Sequence, residues 1–188
     1  MGIFKGSYGD DAGLNGSSLS DLIYGDSNEL LTVSAGDDTI VGNGGGDVIY
    51  GDADLLALGA RGGDDVIDGG AGFDLIYGDA ETLYGQSSGG ADELRGGAGN
   101  DVLWGDGYLA ERSRGGADRF VFEGAFGQDR VMDFRGEEDG DQILFKGLTA
   151  GDITISSANG DTVITTANGD QVTLVGVGQV DPGDILFG

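Results

Sequence analysis

Seven times between residues 36 and 120 the chain repeats the pattern Gly-x-Asp-x-large apolar: Gly36/Asp38/Ile40, Gly45/Asp47/Ile49, Gly63/Asp65/Ile67, Gly72/Asp74/Ile76, Gly90/Asp92/Leu94, Gly99/Asp101/Leu103 and Gly116/Asp118/Phe120. The Asp positions are spaced 9, 18, 9, 18, 9 and 17 residues apart. A fixed short period means that one small unit stacks on copies of itself, because no single unit can bury its own apolar face. Glycine-rich stretches take tight turns and bring backbone carbonyls round to converge. The three residues that follow form a short strand whose middle side chain points inward, so Ile40, Ile49, Ile67, Ile76, Leu94 and Leu103 are expected to line one thin core.

Three copies are nearly complete nine-residue units: GNGGGDVIY from Gly42, GGAGFDLIY from Gly69 and GGAGNDVLW from Gly96. They match the Gly-Gly-x-Gly-x-Asp-x-apolar-x repeat of parallel β-rolls. The chain resembles the repeats-in-toxin (RTX), or hemolysin-type calcium-binding, family. The fold expected is all-β: a parallel β-roll, a right-handed β-solenoid, capped by a C-terminal antiparallel β segment. Three regions are expected: a short lead-in over 1–20, the roll over 21–118, and a C-terminal β cap with an export signal over 119–188.

The 18-residue spacings follow from Gly-Asp junctions at Gly25-Asp26, Gly51-Asp52, Gly78-Asp79 and Gly105-Asp106. These read as turns interrupted by inserts, Ser27 to Ser34, Ala53 to Arg61, Ala80 to Ser88 and Gly107 to Arg114, so that the true period is about 27, one coil plus one loop. One edge then carries tight turns ending at Asp47, Asp74 and Asp101, and the other carries interrupted turns ending at Asp38, Asp65, Asp92 and Asp118. The competing register treats the inserts as degenerate turn-plus-strand units. It is disfavoured because the matching strand slots hold Leu58, Gly85 and Arg112. The 27-residue register also stacks Tyr24, Tyr50, Tyr77 and Trp104 in one column, either a carbohydrate platform or packing beneath Leu55, Leu56, Leu58, Leu83 and Tyr84.

The chain has no Cys and no His, so any metal is held by oxygen. Calcium takes six to eight oxygens at about 2.3 to 2.6 Å in tolerant geometry, whereas magnesium demands a strict octahedron and releases water reluctantly. Each turn offers an Asp carboxylate and some carbonyls, roughly half a shell. The carbonyls are expected from Gly42 and Gly44, Gly69 and Ala71, and Gly96 and Ala98. An ion is expected between each turn and its equivalent one coil later: Asp47 with Asp74, Asp74 with Asp101, Asp38 with Asp65, Asp65 with Asp92, and Asp92 with Asp118, about five ions or more. Asp26, Asp52, Asp79 and Asp106 are further candidates, as ligands or as outer charge. The plain alternative, that Asp merely favours turns, suits one turn but not seven in register.

The formal charge is −25, from 34 acids against 9 Lys and Arg, which repels nucleic acid and anionic lipid and favours cations as partners. Leu, Ile, Val and Phe still exceed the roughly 20% below which a highly charged chain stays disordered. Neither a cleaved N-terminal signal peptide nor a membrane-spanning run is present.

From Arg119 the repeat fades into alternating β segments at Phe120, Asp129, Gln142, Ile153, Asp161, Gln171 and Asp184, with hairpin signals at Asn159-Gly160 and Asn168-Gly169. This part resembles the C-terminal secretion region of serralysin-type proteases, through ADRFVF, DRVMDF, NGDTVI, NGDQVTLVGV and the terminal Asp184-Ile185-Leu186-Phe187, with Gly188 a small departure. The resemblance implies export by a type I secretion apparatus and an extracellular location.

No catalysis is expected. Gly85-Gln86-Ser87-Ser88-Gly89 fits the Gly-x-Ser-x-Gly expression, but no His exists to activate Ser87. The function expected is an extracellular protein that folds on calcium and serves a structural or adhesive role, with a glycan or cell-surface partner. The alternatives are a detached secretion and folding module of a larger secreted enzyme, or a carbohydrate-binding module.

Overall fold

The computed structural model describes the backbone of residues 1–188 and every side chain except those of residues 28–31. The chain winds into a β-solenoid of about five turns with an antiparallel segment at its C-terminal end. One sheet stacks the strands Leu22–Tyr24, Val48–Tyr50, Leu75–Tyr77 and Val102–Trp104 in parallel, and a second stacks Thr39–Val41, Val66–Gly72, Glu93–Gly99 and Arg119–Glu123. Val48 pairs with Leu75 and Leu75 with Val102, while Thr39 pairs with Val66 and Val66 with Glu93. Each step is 27 residues, the inserted register.

The apolar middle residue of each strand meets its equivalents across and along the roll. Ile40, Ile49, Ile67, Ile76, Leu94 and Leu103 are all fully buried in one core. Toward the C-terminus that core widens into Phe120, Phe122, Phe126 and Phe145, whose rings tilt against one another. Larger side chains close the open end where a further aliphatic rung would otherwise be needed.

Three features depart from expectation. The inserts are not plain loops: Ser27–Leu31, Ala53–Leu56, Ala80–Leu83 and Tyr108–Leu109 form a third parallel sheet. Its own small core holds Ala53, Leu56, Ala60, Ala80 and Leu83. Alternating apolar residues in the inserts, rather than match to the nine-residue unit, were the signal for it.

The lead-in is stacked as well. Ile3–Lys5 pairs with Leu22–Tyr24, and Ala12–Asn15 pairs with Thr39–Val41. At the other end, Gln142–Lys146 and Ile185–Phe187 extend the second sheet in parallel. Among the named strands, antiparallel pairing is confined to Ile153–Ala158 with Asp161–Thr166 and Asp161–Thr166 with Gln171–Leu174, the last of which pairs in parallel with Gln128–Val131 of the first sheet. Asn159 and Gly160 turn the first of these hairpins at φ 57° and 92°, as a two-residue turn with both residues left-handed requires.

The aromatic column exists, with ring centroids 4.9, 5.1 and 6.0 Å apart from Tyr24 to Trp104. Much of it is packing: Tyr24 and Tyr50 are buried, each ring covers the next, and the Tyr24 hydroxyl bonds Asp54 of the insert sheet at 2.9 Å, while Tyr77 and Trp104 are half-buried. The expected cover divides. Leu56 and Leu83 enter the insert core, whereas Leu58 and Tyr84 face solvent. Among the described residues no helix is long and apolar enough to cross a membrane.

Candidate calcium-binding edges

The stacked turns place the repeat aspartates in columns, and one hydrogen bond sets each step. The main-chain N–H of Asp47 donates to Asp74 Oδ1 at 2.8 Å and that of Asp74 to Asp101 Oδ1 at 2.9 Å. On the interrupted edge Asp38, Asp65 and Asp92 donate likewise to Asp65, Asp92 and Asp118 at 2.7, 2.8 and 3.0 Å. Every pair expected from the spacing is therefore adjacent.

This leaves the second oxygen. Oδ2 of Asp38, Asp47, Asp65, Asp74, Asp92, Asp101 and Asp118 is buried and has no hydrogen-bond partner. A buried carboxylate oxygen without a partner costs heavily, and one per turn in register is the donor set that a row of cations would satisfy. The ends of the columns differ. Asp21 accepts from Gly2, Ser17 N–H and Ser17 Oγ, and Asp141 from Asp118 and Arg135, so both oxygens of each are satisfied by protein donors. These two carboxylates are closed, and those of the seven repeats are open.

Carbonyls converge where the open oxygens point. A methyl built on Gly42 would stand within 2.6 Å of both Asp47 Oδ2 and the Gly69 carbonyl, and one on Gly69 within 2.7 Å of Asp74 Oδ2 and the Gly96 carbonyl. On the other edge a methyl on Gly51 would overlap Asp65 Oδ2 and the Gly78 carbonyl, and one on Gly78 would overlap Asp92 Oδ2 and the Gly105 carbonyl. Glycine keeps these oxygen-lined hollows free. Among the described residues no three acids gather at one point, so a full shell has to draw on carbonyls, which suits calcium.

The remaining expected ligands divide. Gly69 and Gly96 place their carbonyls in the hollows beside Asp47 and Asp74, whereas that of Gly42 lies at the Gly16 position next to the closed Asp21. The Ala71 carbonyl accepts the Gly45 N–H at 2.8 Å, and Ala71 pairs with Ala98 within a ladder that runs on through both turns to Gly72 and Gly99. A side chain at Gly44 would meet only the Ala71 carbonyl, at 3.6 Å. Asp52, Asp79 and Asp106 lie buried beside Asp65, Asp92 and Asp118 on the interrupted edge. Asp129, which the count of repeats missed, continues the tight edge: it accepts the Asp101 N–H at 2.8 Å and leaves Oδ2 open. Its signal was present as Gly127-x-Asp129-x-Val131.

The electrostatics follow from burial. Desolvation, reinforced by neighbouring acids, lifts Asp38 and Asp74 to about 7, Asp129 to about 8 and Asp118 to about 9, from 3.8. Asp65 and Asp92 are also raised well above the ordinary value, by burial first. Asp21 is lowered instead, chiefly by the Ser17 hydroxyl. Ser87 is buried, and its hydroxyl donates to the Tyr84 and Leu56 carbonyls at 3.0 and 3.3 Å, a packing role.

Residues 23–54, 60–85 and 86–107 match the family model described as RTX calcium-binding nonapeptide repeat, in four copies. No curated protein matches the chain. Among solved structures, the extracellular lipase LipA from Serratia marcescens is similar at 16% identity and a TM-score of 0.40, over 92% of this chain and 40% of the lipase. The chain thus spans about two fifths of that protein's length. The AlgE6R3 subunit of the Azotobacter vinelandii mannuronan C5-epimerase is similar at 22% identity and a TM-score of 0.33, over 96% of this chain and 80% of that one.

Proposed function

We propose that this chain, whose repeats are RTX calcium-binding nonapeptides, is an extracellular β-roll protein that takes its ordered shape by binding at least five calcium ions. The observation that carries this reading is the column of buried, partnerless Oδ2 atoms beside converging glycine carbonyls. Asp47, Asp74 and Asp101 would hold ions on the tight edge with the carbonyls of Gly69 and Gly96, and Asp38, Asp65, Asp92 and Asp118 on the interrupted edge with those of Gly51, Gly78 and Gly105. Calcium supplies positive charge and a tolerant oxygen shell there.

The chain's own residues do the rest. The Asp N–H to Oδ1 bonds fix the spacing between coils, and the Ile and Leu stack holds the two edges apart. Five divalent ions would offset about 10 of the 25 net negative charges, and each site held at 100 times its dissociation constant adds roughly 2.7 kcal/mol. Between them these effects relieve the self-repulsion that opposes the fold.

Export by a type I apparatus rests on the C-terminal resemblance. In the folded chain Ile185–Phe187 is the last strand of the second sheet and Ile185 is buried, so an apparatus that reads this end meets it before folding. A structural or adhesive role accords with a surface of turns and short strands. Isothermal titration of the metal-free chain with calcium tests the binding. Five or more equivalents, with magnesium silent, support it, and no saturable uptake at neutral pH overturns it.

A further inference from the structure

The interrupted edge carries twice the carboxylates of the tight edge, and the second set has open oxygens of its own. Asp52 and Asp79 are fully buried; each accepts one turn N–H through Oδ1, from Gly63 at 3.3 Å and Gly90 at 2.9 Å, and each leaves Oδ2 without a partner. These atoms face the next carboxylate of their own column. A methyl built on Gly62 would lie within 2.9 Å of both Asp52 Oδ2 and Asp79 Oδ1, and one on Gly89 within 2.5 Å of both Asp79 Oδ2 and Asp106 Oδ1. Oxygens that close to a shared point lie within reach of one hard cation, whose oxygen distances are about 2.3 to 2.6 Å.

We propose that Asp52, Asp79 and Asp106 form a second row of calcium sites, separate from the row of Asp38, Asp65, Asp92 and Asp118. One ion sits between Asp52 and Asp79 and another between Asp79 and Asp106. The proposal rests on the calcium reading of the repeats and deepens it, since these aspartates belong to the Gly-Asp junctions that the inserts interrupt, not to the Gly-x-Asp turns. In each such hollow two carboxylates, one from each coil, point at the shared space.

The chain supplies its own comparison. One coil earlier, the position equivalent to Gly62 and Gly89 is Ala35: its N–H bonds the Arg61 carbonyl as theirs bond Ser88 and Arg114. By that equivalence the Ala35 methyl stands where Gly62 and Gly89 leave a hollow, so no ion is expected between Asp26 and Asp52 although Asp26 Oδ1 is buried without a partner. At the far end a methyl on Gly115 would lie within 2.5 Å of both Asp106 Oδ2 and Asp139 Oδ2, and there the Arg135 guanidinium already donates to Asp139 Oδ2 at 3.5 Å, so the row ends against a protein cation.

Calcium stoichiometry by titration calorimetry tests this on the full chain, with circular dichroism reporting the fold. Gly89→Ala, which fills one hollow without changing charge, is expected to bind one ion fewer than the wild type. Asp79→Asn, which serves both sites, is expected to bind two fewer. Gly178→Ala, at a glycine outside both edges where an added methyl would meet only the Gly160 carbonyl at 4.0 Å, is expected to leave the count unchanged. Wild-type stoichiometry in both Gly89→Ala and Asp79→Asn overturns the second row. Loss of an ion in Asp74→Asn alongside that result leaves the repeat sites standing and sinks only this row. If the Gly89 variant fails to fold, anomalous diffraction from a calcium-loaded wild-type crystal decides: a calcium peak between Asp79 Oδ2 and Asp106 Oδ1 supports the row, and a water or no peak overturns it.

Discussion

The main-chain N–H of Asp65 donates to Asp92 Oδ1 at 2.8 Å while Asp92 Oδ2, buried in the same turn, meets no donor. One oxygen of the carboxylate therefore sets the stacking of coils, and the other is available to a cation. Replacing Asp92 by Asn separates these roles. In saturating calcium Asp92→Asn is expected to lose about 2.7 kcal/mol for each site it empties that was held at 100 times its dissociation constant. In chelator at pH 8 it is expected to raise the folded fraction, because it removes a carboxyl that burial first, and then Asp118 and Asp65, make costly to hold ionised, so that the fold must either bury its charge or take up a proton. Urea melts with and without calcium check the change of sign.

Acid is expected to substitute in part for the metal. Burial holds Asp38 and Asp74 at about 7, Asp129 at about 8 and Asp118 at about 9 in the folded chain, against 3.8 for the ordinary group. A carboxyl raised on folding binds protons that the unfolded chain releases, so calcium-free stability is greatest below about pH 4 and falls as pH rises through the window to about 9. The chelated protein is expected to show more β signal at pH 5 than at pH 8. The calcium midpoint is expected to move to higher concentration as pH falls, since protons and calcium compete for the same oxygens.

The core makes an ordinary packing prediction. Ile67 is fully buried between equivalents on both sheets, and its neighbour Val66 faces solvent at 40% exposure. Ile67→Ala in the calcium-bound form is expected to cost about 2 to 5 kcal/mol. Val66→Ala is expected to change stability by about 0.5 kcal/mol or less. Thermal melts in excess calcium compare the two.

Glycine in the hollows has a steric role that can be isolated. A methyl on Gly51 would overlap the Gly78 carbonyl, which is backbone and cannot swing aside, as well as Asp65 Oδ2. Gly51→Ala is expected to raise the calcium midpoint of folding by tenfold or more, whereas Gly178→Ala, away from both edges, is expected to leave it near wild type. Calcium titrations followed by circular dichroism distinguish them.

The repeat made the roll legible because period, turn and core residue coincide. Ile40 to Leu103 stand where an alternating strand must place them, and the Asp columns follow from the same arithmetic. What escaped was whatever lacked the nine-residue signature. Asp21, Asp129 and Asp141 continue or close the columns, yet only Asp129 keeps Gly-x-Asp intact; the others are placed by backbone bonds to Asp47 and Asp118, which a motif search does not see. The insert sheet was hidden for a related reason. Its strands share a register with one another and none with the repeat, so Leu56 and Leu83 find their partners only once the 27-residue coils are stacked.

Far-ultraviolet circular dichroism of one sample at pH 8, first in chelator, then in magnesium, then in calcium, bears most directly on whether cations build the roll. A disordered spectrum in chelator and magnesium that converts cooperatively to β on adding calcium is the expected result. A β spectrum that persists unchanged in chelator would show that the open aspartate oxygens need no ion, and would contradict the calcium-built roll.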